Sequence, residues 1–334
     1  MIKPTALPGI YQEFTKAVED PIFREAITYR IYKSYALTDK DYYSDEQHRQ
    51  YAEGLSFGML VEAKRPGAED NTKLFYCDEE MSSAIETGCR LFEAEDRADA
   101  ALLPSKTGFA YFTKGVKLTD NMTVHGLYWY QITDMATGED ATVVVGFNDI
   151  INRADPTTDS WKRFFEESGD KVPDTRWMYR TFHVYDQHVK MLISDEEKAR
   201  LEEYGVGGSL VTTTLSQVMH AFLLMVNQPP EVVTTSTARL ANNKQIKKLK
   251  SKNLPSEVTV VDIRHRRRSV SADASPGSVN YSRRWYVEGH WRWQWFKDKE
   301  TDKRIQKRIW INSYIKGPED KPFVATKRVY ALLK

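Results

Sequence analysis

Residues 281–296 read Tyr-Ser-Arg-Arg-Trp-Tyr-Val-Glu-Gly-His-Trp-Arg-Trp-Gln-Trp-Phe and alternate two chemistries with a period of two. On a strand, Trp285, Val287, Gly289, Trp291, Trp293 and Trp295 share one face, while Arg284, Glu288, His290, Arg292 and Gln294 share the other. The second face carries what metal-free RNA cleavage requires: a base for the 2′-hydroxyl, an acid for the leaving oxygen, and cations for the charged phosphorane. Glu288 and His290 would serve as base and acid, and Arg292 with Arg284 would clamp the phosphate. Gln294 lies on the same face, and Tyr314, Lys316, Lys321 or Arg264 would arrive from neighbouring elements.

Two other readings use the same stretch. Arg264, Arg266, Arg267, Arg268, Arg283 and Arg284 can hold a nucleic-acid backbone while Trp293 or Trp295 stacks on bases, with no bond broken. Alternatively the tryptophans fill a core, Glu288 pairs with Arg284 or Arg292, and His290 donates to a backbone carbonyl. The pattern leaves all three open; the tryptophan face itself is expected to be core.

The elements that must position these residues are legible in outline. Helical spacing covers residues 10–18, 21–35 and 44–64, the last opening after Ser44, and residues 78–95 form a further acidic helix after a loop at 65–73. Strand patterns occupy 109–112, 124–132 and 141–147, with a turn at 135–138 between the last two, and short helices fit 158–168 and 194–204. Residues 177–189 are an aromatic run of ambiguous period containing His183 and His188, both expected to be ordinary imidazoles. After Gly207-Gly208, Ser209 caps an apolar helix over 210–227 that Pro229 and Pro230 stop; His220 within it is expected to lie in or beside the core. Residues 234–253 are basic and polar, suiting a solvated helix or linker. Strands are expected at 258–263, 281–296, 308–315 and 327–333, forming one antiparallel sheet packed on the 210–227 helix.

The formal charge of +1 conceals a division. Residues 239–334 hold 24 Lys and Arg against 9 Asp and Glu, or +15, leaving 24 against 38, or −14, before them. A basic C-terminal part on an acidic body suits a polyanion partner or an acidic protein surface on which the basic module docks, or else the two parts pack on each other and the acidic surface screens the basic one. Cys77 and Cys89 are expected to be reduced and structural, since no CxxC or HxxxH spacing accompanies them. Phosphate-loop, dinucleotide, GxSxG and HExxH motifs are absent, which removes support for nucleotide hydrolysis, dinucleotide binding, serine hydrolysis and zinc-protease chemistry. The scattered carboxylates of the basic part do not suit a two-metal nuclease, so no cofactor or metal is expected. No run is long and apolar enough for a bilayer span, and the N-terminus lacks a signal-peptide core, so a cytoplasmic protein with no membrane partner is expected.

Pro229-Pro230-Glu231-Val232, the strand near Val260-Val261, Arg284-Trp285-x-Val287-x-Gly289-His290-Trp291-Arg292-x-Gln294, Trp310-Ile311-x-x-Tyr314-Ile315-Lys316-Gly317-Pro318-Glu319-Asp320-Lys321-Pro322 and Val329-Tyr330 together resemble a family of uncharacterised proteins from actinobacteria and their phages and plasmids. The match is dense toward the C-terminus and weak before it. This chain departs from the family at Trp293, where the family carries Asn, and over 297–303, where it carries a Tyr-Pro-Ser or Gly-rich turn. The resemblance implies a host setting and a C-terminal boundary; it carries no established activity.

These readings combine into an α+β protein: a mainly helical region at 1–103, a mixed region with a small sheet at 104–206, and a basic α+β module at 207–334. The expected function is RNA binding, extending to metal-independent endoribonuclease action of a toxin-like, phage or plasmid conflict or regulatory kind. The alternative is a non-enzymatic interaction protein with an acidic partner.

Overall fold

The computed structural model describes residues 2–38, 44–65, 67–90, 92, 102–119, 122–133, 140–149, 175–186, 208–230, 232–240, 242–263, 284–287, 289–297, 304–311, 314–318 and 321. The protein is α+β, with helices, a mixed seven-stranded sheet and small antiparallel pairs. It divides into two compact units: residues 1–227 with 235–262, and residues 228–234 with 263–334. The expected turn at 135–138, the helices at 158–168 and 194–204, His188, and the last strand at 327–333 lie outside the described residues.

In the first unit, α1 (Leu7–Glu19), α2 (Pro21–Thr38) and α3 (Asp45–Lys64) follow from local signals. Leu7, Ile10, Tyr11, Phe14, Ala17 and Val18 recur at helical spacing and are buried along α1. Asp20 closes that helix and opens the next, its carboxylate accepting from the Ile22 amide at 2.9 Å. Ser44 and Gln47 form a reciprocal capping box at the start of α3. After a helical turn, α4 (Ala68–Asn71), come β1 (Thr72–Cys77) and α5 (Glu79–Cys89), the latter capped by Asp78 accepting from Met81 at 2.8 Å.

β2 (Thr107–Thr119), β3 (Met122–Thr133), β4 (Asp140–Asp149) and β5 (Trp177–Asp186) form an antiparallel meander, which resolves the ambiguous aromatic run as a strand. α6 (Gly208–Val226), β6 (Val233–Arg239), α7 (Asn243–Lys250) and β7 (Glu257–Ile263) follow. The sheet order is β5-β4-β3-β2-β1-β7-β6, with β1 parallel to both β2 and β7.

Helices cover both faces of the sheet over β1 to β4, so these strands read as nearly continuous apolar runs rather than alternations, whereas the edge strand β6 is polar and mostly exposed. Leu74, Tyr76, Phe109, Tyr111, Tyr128 and Tyr130 join the core with α1, α2 and α3. On the other face, Phe222 of α6 packs against Phe75 at 5.4 Å and Trp129 at 5.7 Å between ring centres. Gly108 is required there, because a β-carbon on it would fall 2.0 Å from the Trp129 ring.

Two expectations about the C-terminal module are therefore corrected. The apolar helix of 208–226 is buried at Leu215, Val218, Met219, Phe222 and Met225, but it belongs to the first unit, where it packs against α5, β2 and β5. The strand at Glu257–Ile263 likewise pairs with β1, since its Val258, Val260 and Val261 are bulky enough for a site covered on both sides. Cys77 and Cys89 are both free and buried; burial pushes the Cys89 thiol up to about 12, keeping it protonated and a poor nucleophile.

In the second unit, β8 (Trp285–Val287) pairs with β11 (Tyr314–Lys316), and β9 (His290–Lys297) pairs with β10 (Arg304–Ile311), both antiparallel. The expected single strand at 281–296 is thus two strands, β8 and β9, while 308–315 holds the end of β10 and the start of β11, with 312 and 313 outside the described residues. Val287↔Tyr314 and His290↔Ile311 nevertheless keep one register, so a single hairpin is interrupted between its two paired segments. Gly289 sits at that interruption, where a β-carbon would come 2.5 Å from the Trp310 ring.

Candidate nucleic-acid interface

Directly opposed residues of an antiparallel pair share a face, so the register sorts the hairpin's chemistry. Lys316 lies opposite Trp285, Tyr314 opposite Val287, Trp310 opposite Trp291, Arg308 opposite Trp293, Gln306 opposite Trp295 and Arg304 opposite Lys297. Within each paired segment, the face that carries the indoles is therefore also the face that gathers cations. Arg308 stands over the Trp293 ring at 4.5 Å, and the Lys316 ammonium over the Trp285 ring at 5.8 Å.

Burial is graded along β9. Trp291 and Trp310 meet edge to face at 5.5 Å and are only 8% and 5% exposed. Trp293 and Trp295 are 52% and 57% exposed, and Phe296 is exposed beside them. The expectation that the whole tryptophan face is core is therefore overturned at residues 293 and 295. The physical reason is coverage: Trp310 supplies an aromatic partner at one end, whereas Arg308 and Gln306 replace it at the other.

The proposed catalytic set comes together only in part. His290 and Arg292 are exposed on one face of β9, but they lie opposite Ile311 and Ile309 instead of further polar groups. Arg292 donates through Nη2 to the Gln294 side-chain carbonyl at 2.7 Å. Glu288 lies outside the described residues, as do Arg264, Arg266, Arg267, Arg268 and Arg283. Tyr314 and Lys316 are corrected in position: they share the face of Val287 and Trp285, not the alternate face of that strand. Arg284 donates through Nε to the backbone carbonyl of Lys321 at 3.1 Å, so both of these residues help to close the end of the hairpin at β11.

Arg304, Gln306 and Arg308 were not among the residues expected to bind. Their signal was available in the alternation Arg304-x-Gln306-x-Arg308-x-Trp310, once Trp310 is set opposite Trp291.

The first unit holds a separate polar cluster. Asp149 accepts from the Tyr111 hydroxyl at 2.9 Å and is paired with Arg176, which also reaches Glu13 at 3.0 Å. Burial alone would lower the Arg176 basicity, but hydrogen bonds and charge from Asp149, then Glu13, outweigh it and raise it above the ordinary value. His125 lies 2.6 Å from the Asn148 side-chain carbonyl, and His220 stacks on Phe92 with ring centres 4.5 Å apart. These histidines and charges are engaged in packing, as a structural role requires. Among the described residues no group of three His, Cys, Asp or Glu is placed to hold a metal, and no helix is long and apolar enough to cross a membrane.

No family model matches the chain, and no curated protein matches it. Among solved structures, the crystal structure of AcrVA2 aligns over 94% of this chain and 99% of that one at 14% identity, with a TM-score of 0.35, too low to carry an argument.

Proposed function

We propose that the interrupted hairpin of the second unit binds single-stranded RNA, with bases stacking on Trp293 and Trp295 and the phosphates held by Lys297, Arg304 and Arg308. The exposure of both indoles, 52% and 57%, beside cations on the opposed strand supports this reading. An exposed large indole costs solubility and contributes little to folding, whereas a base can cover it with a π-face of any sequence. Trp293 and Trp295 sit two residues apart, about 6.6 Å along a strand, so each can serve one base of an extended chain. The second unit, residues 228–234 with 263–334, holds 18 Lys and Arg against 8 Asp and Glu, and this +10 balance supplies the long-range attraction. Resemblance of the C-terminal motifs to actinobacterial and phage proteins supports a conflict or regulatory setting in the cytoplasm.

The test is titration of a labelled single-stranded RNA across a salt series. Affinity should fall as salt rises, with a log–log slope of about −0.7 per phosphate contacted. Replacing Trp293 or Trp295 by Ala should each remove about 1–3 kcal/mol of binding. No RNA binding by the parent chain, or full binding by both variants, rejects the proposal; salt-tolerant capture of an acidic protein instead would favour a protein interface. Cleavage through His290 and Arg292 is tested separately, with total RNA in EDTA and the variants His290→Ala and Arg292→Ala. Degradation by the parent but not by the variants would extend the function from binding to catalysis.

A further inference from the structure

Within the stretch read from sequence as a solvated helix or linker, residues 243–250 form a largely exposed helix that belongs to the first unit. The side chain of Asn242 caps α7, accepting from the Lys244 amide at 2.9 Å, and buried Leu249 anchors the helix while Lys244, Lys247, Lys248 and Lys250 stay exposed. The helix ends in a Schellman turn: the Leu254 amide donates to the Leu249 carbonyl at 3.0 Å, and the Asn253 amide to the Lys250 carbonyl at 3.0 Å. Asn253 takes the left-handed conformation that the turn demands, with φ of 56°.

That turn fixes Lys252 in place beside α1 and α3. Lys16, Lys64 and Lys252 line a single cleft of about 410 Å³, together with Gln12, Glu19 and Asn253. Lys64 is paired with Glu19 at 2.9 Å, while neither Lys16 nor Lys252 has a side-chain partner among the described residues. Three ammoniums against one carboxylate leave the cleft at +2. Crowded like charges in a concavity repel one another, and a bound anion reverses that term. The first unit, residues 1–227 with 235–262, carries −9 overall, so attraction to this cleft is local and comes from its own lysines.

We propose that this cleft binds consecutive phosphate groups, with Lys16 and Lys252 as the charged contacts and the Gln12 and Asn253 amides as neutral donors. Lysines meet phosphate as point charges without the fixed fork of arginine, which suits a chain of phosphates presented at variable angles. The site lies wholly in the first unit and does not rest on the indole hairpin. Its phosphates could belong to an RNA backbone or to free oligophosphate.

Inorganic tripolyphosphate is the probe, titrated into the full chain at low salt by calorimetry. The double variant Lys16→Gln/Lys252→Gln should bind it at least about tenfold more weakly, as expected for the loss of two charge-assisted contacts. Lys117→Gln, an exposed lysine on β2, should leave affinity unchanged, and unaltered melting temperatures would confirm that both variants fold. Competition then uses single-stranded RNA without terminal phosphates and the Trp293→Ala/Trp295→Ala chain. Displacement of tripolyphosphate from that chain identifies backbone phosphodiesters as occupants; no displacement identifies free oligophosphate. Failure of the parent to bind tripolyphosphate, or equal binding by the lysine double variant, overturns the proposal and leaves the indole hairpin untouched.

Discussion

The seven-stranded sheet and the β9–β10 hairpin are both rich in aromatic strand residues, yet they treat them in opposite ways. In the sheet, Trp129 and Trp177 are among the largest side chains that are fully buried, because helices lie over both faces. In the hairpin, Trp291 is buried against Trp310 while Trp293 and Trp295 remain in solvent. An indole buries about 150–250 Å² wherever it is covered, so the residue type says little about its role. What decides between scaffold and surface is whether a second layer exists, and a period of two within one strand is silent on that.

The comparison would break if the two sets of indoles proved energetically alike. Trp129→Ala should be the most damaging substitution, at about 3–5 kcal/mol in urea unfolding, since it empties space beside Gly108 and Phe222 and strands the Ser105 carbonyl that accepts from its indole at 3.0 Å. Trp295→Ala should stay within about 0.5 kcal/mol of the parent in the same measurement. Equal losses would mean that Trp295 is covered after all.

Charges sharpen the contrast. Asp149 and Arg176 are 1% and 10% exposed, so Asp149→Ala leaves a nearly buried guanidinium with Glu13 as its remaining ion-pair partner among the described residues. That should cost about 3 kcal/mol, read as a lower urea midpoint with an unchanged slope. Arg292 on the hairpin is exposed and bound to Gln294, so Arg292→Ala should leave the midpoint almost unmoved.

Local signals in the sequence foretold α1, α2, α3, α5 and α6 and the meander β2 to β4, because caps and 3.6-residue spacing act within a few residues. β1 was hidden: Leu74-Phe-Tyr-Cys77 is a short apolar run between a loop and a helix, with no alternation because both its faces are covered. Its parallel pairing with β7 spans well over a hundred residues of chain, which no local pattern encodes. At the hairpin, the strand conformation and the sharing of faces within β9 were legible. That the indole face would also be wet at Trp293 and Trp295 was not, because that depended on the register that sets Arg308 against Trp293 and Gln306 against Trp295.

Arg308 offers an intermediate test of the platform. Its guanidinium over Trp293 orders the ring and presents charge at the same place, so Arg308→Gln should weaken RNA binding by about 1–2 kcal/mol and flatten the salt dependence. Arg308→Lys should restore the salt slope and only part of the affinity, because a compact ammonium lacks the planar contact. Full recovery by lysine would reduce the residue to a charge and remove the argument for an ordered ring.

The smallest expected effect concerns Asp262, a carboxylate on β7. Burial, then the charge of Asp78, raises the Asp262 pKa above the ordinary carboxylate value. A carboxyl that is harder to ionise in the folded chain than in the unfolded chain penalises folding once the pH exceeds both values. Stability contributed by its protonated form is lost as pH rises from the ordinary value through the raised one. Asp262→Asn should therefore stabilise the protein at pH 7, by no more than about 0.5 kcal/mol since solvent screens a group this accessible. The gain should vanish below the ordinary carboxylate range, where both chains carry a neutral side chain. Asp78 caps α5, accepting from the Met81 amide, so Asp78→Ala should destabilise at neutral pH even though it removes the same repulsion. A stabilisation by Asp262→Asn that persisted in acid would point to side-chain packing instead of charge, and the sheet would then owe its tolerance of Asp262 to shape.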